Sequence, residues 1–221
     1  MLFQNGPKSV AVIVAHPDDE TLWAGGTILS QPLWDWFILS LCRGNDPDRS
    51  PKFYQALQIL NAKGSMSDLD DGPEQTPIAP NQVQENILQR LPSKQFDLLL
   101  SHSPAGEYTR HRRHEEIGEA VISLWHTSKL QADELWTFAY EDGGKRYLPQ
   151  PIPSAHIYEK LSYKIWQKKY DLITGTYSFP RGGFEAETTP RAEAFWRFAD
   201  SAQAQDWLTN EVFQHESFTA I

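Results

Sequence analysis

Ala15-His16-Pro17-Asp18-Asp19-Glu20 places an imidazole and three carboxylates within six residues. His16 and Asp19 stand three apart. With the chain turning at Pro17, an imidazole nitrogen and a carboxylate oxygen can converge on one ion, zinc being the natural candidate for such donors. Asp18 is then left beside the ion, where a spare carboxylate can serve as general base toward a metal-bound water. A plainer role for Asp18, Asp19 and Glu20 is to cap and charge the start of a helix over residues 21–30. Capping accounts for one or two acids, but not for His-Pro before them.

Such residues need a scaffold. The apolar run at residues 10–14 directly precedes the motif and reads as a strand covered on both faces. Open α/β sheets assemble ligand sites in the crevice outside the carboxyl ends of such strands. Runs at residues 10–15, 37–42, 96–101 and 135–139 predict strands. Between them Phe53, Leu57 and Leu60 recur at helical spacing, as do Val83, Ile87 and Leu91, and Ile117, Val121 and Leu124. This alternation predicts an α/β fold, a Rossmann-like three-layer sandwich with a mainly parallel sheet. Residues 64–80, rich in Asp, Gly and Pro, predict a loop whose acids Asp68, Asp70 and Asp71 are solvated. Gly25-Gly26 predicts close packing of the first helix on the sheet, and Asp46-Pro47-Asp48 a simple turn.

A second cluster follows the third predicted strand, in Ser101-His102-Ser103 and onward through Glu107-Tyr108-Thr109-Arg110-His111-Arg112-Arg113-His114. A helix beginning near His111 puts His111 and His114 on one face. His102, at the end of a buried strand, is an alternative third ligand on fold logic alone. His126, His156 and His215 have no partner at ligand spacing and read as structural or exposed.

Ala-His-Pro-Asp-Asp-Glu followed by Thr21-Leu22-Trp23-Ala24-Gly25-Gly26-Thr27 resembles the signature of the zinc-dependent N-deacetylase family that includes N-acetylglucosaminyl-phosphatidylinositol deacetylase and its LmbE-like bacterial relatives. The resemblance implies zinc, or another divalent ion such as Fe2+, held by His16, Asp19 and His114. It implies Asp18 as general base and His111, in its charged form, as the group that stabilises the tetrahedral intermediate and assists the leaving amine. It implies further that Arg49 holds substrate hydroxyls and that Tyr108 donates to the oxyanion. Two departures stand out: Arg113 occupies the position where the family usually has Asp, and Arg110 is an extra residue before His111. Glu107 or Glu115 can compensate for the missing Asp. The resemblance covers residues 8–125 closely and the remainder faintly, through Arg181-Gly182-Gly183-Phe184 and the Glu216-Ser217-Phe218 ending.

The implied reaction is hydrolysis of an acyl, typically acetyl, group from the nitrogen of an N-acetylglucosamine-type sugar or conjugate. A non-sugar amide shares every residue above, and a non-catalytic binding module on the same fold is the remaining alternative. Residues 126–221 are expected to shape the substrate site, with Trp34, Trp36 and Tyr147 as surfaces for sugar stacking.

Composition sets the outer limits. A chain of 221 residues with 40% hydrophobic content can bury one core, so one domain over residues 1–221 is expected. A net charge of -9 argues against nucleic acid as partner, whereas the small-molecule substrate is what the resemblance implies; a homo-oligomer is compatible. The single cysteine, Cys42, excludes an intrachain disulfide and reads as a core residue. No secretory signal or membrane-length apolar run is visible, so a cytoplasmic location is expected. No Gly-x-Ser-x-Gly elbow or Walker-type loop appears.

Overall fold

The computed structural model describes residues 6–218, with side chains described as far as residue 210. Strand β1 (Ser9–Val14) is followed by helix α1 (Asp19–Ser30), β2 (Asp35–Cys42), α2 (Arg49–Leu60), β3 (Lys63–Leu69), α3 (Pro80–Arg90), β4 (Phe96–Ser101), α4 (Arg112–His126) and β5 (Ala132–Phe138). The short strands β6 (Tyr140–Glu141) and β7 (Gln150–Pro151) pair with each other. Then come β8 (Ile157–Lys160), α5 (Tyr163–Asp171) with a π-helical turn at Leu172–Thr176, α6 (Phe184–Thr188), β9 (Ala192–Phe198) and α7 (Ser201–Phe218).

The seven-stranded sheet runs in the order β3-β2-β1-β4-β5-β9-β8. Its first five strands are parallel, and β9 and β8 join antiparallel. Strand β1 is central and fully buried. Val10, Val12 and Val14 pack on one face with Trp23, Ile28, Phe53 and Leu57, whereas Ala11 and Ile13 pack on the other with Ile87, Ile117, Val121 and Leu208. Each face is thus covered by helices, which gives three layers and explains why the parallel strands read as continuous apolar runs. Crossover direction reverses between β1 and β4, so the crevice at the carboxyl ends of these two neighbours is the switch point of the sheet.

The four predicted strands and three predicted helices are present, and Cys42 is buried in β2. The loop predicted over residues 64–80 is shorter than expected: its first part, with few apolar residues, forms β3. Gly64 belongs to the reason, because a Cβ there would collide with the Ile38 carbonyl across the strand pair. Strands β8 and β9 also escaped the sequence pattern.

The packing expected of Gly25-Gly26 takes an unusual form. A side chain at Gly26 would strike Leu161, and in the space it leaves the buried Glu193 of β9 reaches α1, accepting from Gly26 N, Thr27 N and Thr27 Oγ1, each at 2.7 Å. Lys169 of α5, fully buried, neutralises it at 2.6 Å. Removing one partner of such a pair strands the other charge in the interior. Lys169→Ala is therefore expected to destabilise the chain by about 3–5 kcal/mol in urea unfolding, and an unchanged midpoint would contradict the pair's role in holding α1.

Candidate metal centre and active site

Where β1 ends, the chain leaves the sheet through His16-Pro17-Asp18 and enters α1. Asp18 is the residue before the helix, yet its side chain makes no capping hydrogen bond. Its backbone adopts φ 125° and ψ -29°, a conformation that L-residues rarely take. Glu20 holds it there, its Oε2 accepting from Asp18 N at 3.1 Å while Oε1 accepts from Thr21 Oγ1 at 2.6 Å and from Tyr177 OH at 2.7 Å. Backbone strain kept in place by buried partners is a mark of functional positions. The second chain segment comes from β4, whose end carries His102, and from the start of α4, which carries His111 and His114.

Three atoms form a near-equilateral triangle. His16 Nδ1 lies 3.1 Å from Asp19 Oδ2 and 3.3 Å from His114 Nε2, and the third side, His114 Nε2 to Asp19 Oδ2, is 3.4 Å. Donors bound to zinc at ~2.0–2.1 Å in a tetrahedron stand about 3.3 Å apart, so the donor set and its spacing fit such an ion without rearrangement. His111 also offers a ring nitrogen within 4.8 Å of those of His16 and His114, and His102 stands in the same relation to Asp19 and His114.

A further layer of hydrogen bonds orients each of the three. Asp19 Oδ1 accepts from the Trp23 indole at 3.0 Å, and His16 N donates to Oδ2 at 2.8 Å. His16 presents its far nitrogen, Nε2, to Asp71 Oδ1 at 3.2 Å; Arg43 and Gln75 in turn hold Asp71. His114 Nδ1 faces Glu107 Oε2 at 2.6 Å, which leaves its Nε2 for the triangle. Carboxylates behind imidazoles in this way fix the tautomer and raise the basicity of the ring.

His102 differs. Its Nε2 accepts the Ala15 backbone N–H at 2.9 Å, and its Nδ1 faces Glu107 Oε2 at 2.9 Å. An amide N–H can only donate, so Nε2 must offer a lone pair to it. Glu107 and Asp19 favour the charged ring against burial, but the amide contact selects the neutral tautomer with the proton on Nδ1. The ring stacks on His114, centroids 3.9 Å apart, as a wall for it.

Asp71 corrects one expectation: it is not a solvated loop acid but a largely buried partner of His16, with a side chain 9% exposed. Asp70, by contrast, is 64% exposed. Arg113 points away from the triangle altogether. Buried at the start of α4, it binds Glu116 and the carbonyls of Asp70 and Thr76, and Glu116 accepts from Ile78 N. It thereby anchors the loop that delivers Asp71. Glu107 occupies the orienting position that the Arg113 departure left open, whereas Glu115 pairs with Arg110 at the surface.

Asp18, Arg49, Tyr108 and His111 line a cavity of about 200 Å³ above the triangle. Burial and the adjacent Asp19 charge raise the Asp18 carboxyl well above the usual range, with His16 and Arg49 opposing. Arg49 Nη1 stands 3.7 Å from Asp18 Oδ2 and is buried without a hydrogen-bond partner among the described residues, and its guanidinium lies over the Phe179 ring at 4.3 Å. Tyr108 packs edge-on to His111 and His114, and burial beside Asp19 and Glu107 keeps its phenol protonated. His111 was expected to be charged. Burial, with His114 and His16 beside it, instead pushes its pKa down to about 3, and its buried Nδ1 has no partner among the described residues.

Glu20, Trp23, Arg43, Asp71 and Tyr177 complete the site and were not singled out by sequence. Glu20 stood inside the motif, but its role depends on Tyr177, 157 positions away. Of the aromatic surfaces expected to take a sugar ring, Trp34 and Trp36 are buried in the core, and Tyr147 is exposed with its hydroxyl on Glu141. His126 and His156 are exposed. His215 and the Glu216-Ser217-Phe218 ending lie outside the residues whose side chains are described.

Comparison with known proteins agrees on the fold. No protein-family model matches the chain. An uncharacterized protein of Acanthamoeba polyphaga mimivirus is 22% identical over 179 residues, spanning 73% of this chain and 75% of its own. Among solved structures, N,N'-diacetylchitobiose deacetylase from Pyrococcus horikoshii superposes with a TM-score of 0.65 at 15% identity, over 87% of this chain and 84% of that one. A zinc-inhibited form of teicoplanin deacetylase gives 0.60 at 13%, over 86% and 97%. The 4-carboxy-2-hydroxymuconate hydratase of Pseudomonas putida gives 0.54 at 18%, over 86% and 95%. The chain therefore has the LmbE-like fold.

Glu107 supplies a pH test of this shell. Its pKa is lowered from 4.5 to about 2, because the hydrogen bonds from His102 and His114 outweigh burial. The stabilisation is complete above the unfolded value and disappears as the folded group protonates. Stability should fall as pH drops from about 4.5 toward 2, and Glu107→Gln should flatten that part of the profile; parallel profiles for the two proteins would contradict the assignment.

Proposed function

We propose that the chain is a metal-dependent N-deacetylase acting on an N-acylated amino sugar or its conjugate, with His16, Asp19 and His114 as the metal ligands. The triangle of ligand atoms with a spare, strained carboxylate beside it carries the reading. Likeness to the fold of two deacetylases, one described in a zinc-inhibited form, supports it. Zinc in this site would supply Lewis acidity and bring the pKa of a coordinated water toward ~7.

The chain's own residues divide the remaining work. Asp18, aimed into the cavity, accepts the proton of the attacking water; a carboxyl whose pKa burial has raised is a better base than an ordinary aspartate. Arg49 limits that rise and offers its unpaired Nη1 to a substrate hydroxyl or carbonyl. Tyr108, protonated and facing His111, donates to the oxyanion as negative charge develops there. His111 faces the same cavity and stabilises the tetrahedral intermediate, and either it or Asp18 returns the proton to the departing amine. His102, Glu107, Asp71 and Trp23 position the ligands and exchange no proton.

A non-sugar amide would use the same groups, and only the substrate separates the two readings. The deciding experiment measures metal content alongside acetate release from N-acetylglucosamine, N,N'-diacetylchitobiose and simple N-acetyl amines. About one zinc per chain with sugar-dependent acetate release is expected. Release from simple amines alone would make the enzyme a general amidase, and a chain that binds no metal after reconstitution would defeat the proposal.

Asp18→Asn should retain zinc and lose on the order of 10²- to 10⁴-fold in rate; full activity would remove Asp18 from the mechanism. Metal uptake should also be linked to protons. In the metal-free chain, bonds to Asp19 and Asp71 outweigh burial and raise the His16 pKa to about 9, so binding must displace a proton from Nδ1. Calorimetry in buffers of different ionisation enthalpy should report proton release at neutral pH and apparent affinity rising toward pH 9; binding without proton release would contradict the assignment of His16.

A further inference from the structure

A second cavity, a groove of about 870 Å³, lies between β8, α5, α6 and the start of β9, and the proposed reaction leaves it unused. Its wall is built around a three-layer stack. The Arg191 guanidinium lies 3.8 Å from the centre of the Trp166 ring, and Trp166 stacks on Tyr170 with centroids 5.3 Å apart and 29° between planes. The Trp166 indole donates to Thr189 O at 3.2 Å, which fixes the ring. This arrangement immobilises the face of the guanidinium and leaves its N–H edge unused. Among the described residues Arg191 makes no ion pair and no side-chain hydrogen bond. The same is true of Lys160, on the neighbouring strand.

Thr188 adds an independent observation. It is 4% exposed and lines the groove, yet its Oγ1 has no hydrogen-bond partner among the described residues. Buried hydroxyls are nearly always paired, so an orphan facing a cavity points to a partner that comes from outside. In a chain of net charge -9, two unpaired cations and an unpaired hydroxyl lining the same groove are donors of the kind that recognise an oxyanion.

We propose that this groove binds a phosphate or carboxylate carried on a flat apolar body, the oxyanion meeting Arg191, Lys160 and Thr188 while the body rests against Tyr158 and the proline-lined floor at Pro151 and Pro153. The inference stands independently of the deacetylase reading. Helix α6 joins the two places, since Phe184 and Glu185 line the metal-side cavity and Glu187 and Thr188 the groove. Glu187 is the one acid on the groove wall, and its charge opposes the ligand.

The test titrates phenyl phosphate into the full chain by calorimetry, with inorganic phosphate and phenyl β-D-glucoside as comparators. Saturable binding of phenyl phosphate is expected, weakened about tenfold or more by Arg191→Gln or Lys160→Gln, as for loss of a charge-assisted hydrogen bond. Glu187→Gln should strengthen it, an effect that a purely structural role would not produce, and Arg49→Gln should leave it unchanged. Arg191, Lys160 and Glu187 are exposed, so their variants should fold, which urea midpoints will check. Equal affinity for inorganic phosphate would overturn the apolar half of the proposal and assign the site to a free anion. Equal affinity for the glucoside, or loss of binding in Arg49→Gln with none in Arg191→Gln, would overturn it entirely.

Discussion

The Asp19 carboxylate, buried at the switch point of the sheet, is the constraint around which the site is organised. A carboxylate out of water is tolerated only when surrounded by donors or cations. Here the Trp23 indole and the His16 amide supply two donors, and His16 and His114 bring ring nitrogens to the same oxygen. Those imidazoles need partners of their own, which brings Asp71 and Glu107 into the interior, and Arg43 and Ser103 N answer these in turn. The network ends at the surface only after three layers. With the three donor atoms facing one another, the arrangement leaves a vertex that could hold a divalent cation.

Support for this geometry comes from the C-terminal half of the chain. Tyr177 holds Glu20, and Glu20 holds the strained Asp18; Tyr140 donates to Trp23 O and so steadies the helix whose Trp23 holds Asp19. The Lys169–Glu193 pair fixes the same helix one turn further on. A helix secured along its length keeps two adjacent carboxylates in different roles, one in the ligand triangle and one in the cavity.

Fold likeness extends to a hydratase as well as to two deacetylases, so the scaffold alone does not select the reaction. What the chain adds is local: an unpaired Arg49 nitrogen, a protonated phenol and a neutral imidazole around a small cavity. These groups suit a substrate that develops oxyanion charge close to His16, Asp19 and His114.

Sequence alone determined four of the five parallel strands, the helices between them and the position of the chemistry. Buried strands carry continuous apolar runs, and a His-Pro-Asp-Asp segment after one of them can lie only at the carboxyl edge. It also left His114 and His102 as alternatives, because both follow β4. In the tertiary structure the Ala15 amide occupies the His102 Nε2 lone pair, whereas His114 Nε2 faces His16 and Asp19. Asp71, Arg113 and Tyr177 were illegible for a shared reason: their partners lie 55, 43 and 157 positions away along the chain, and no local period records a hydrogen bond that long-range packing creates. The charge state of His111 likewise depended on burial against two other rings, which is a property of the folded crevice and not of the motif.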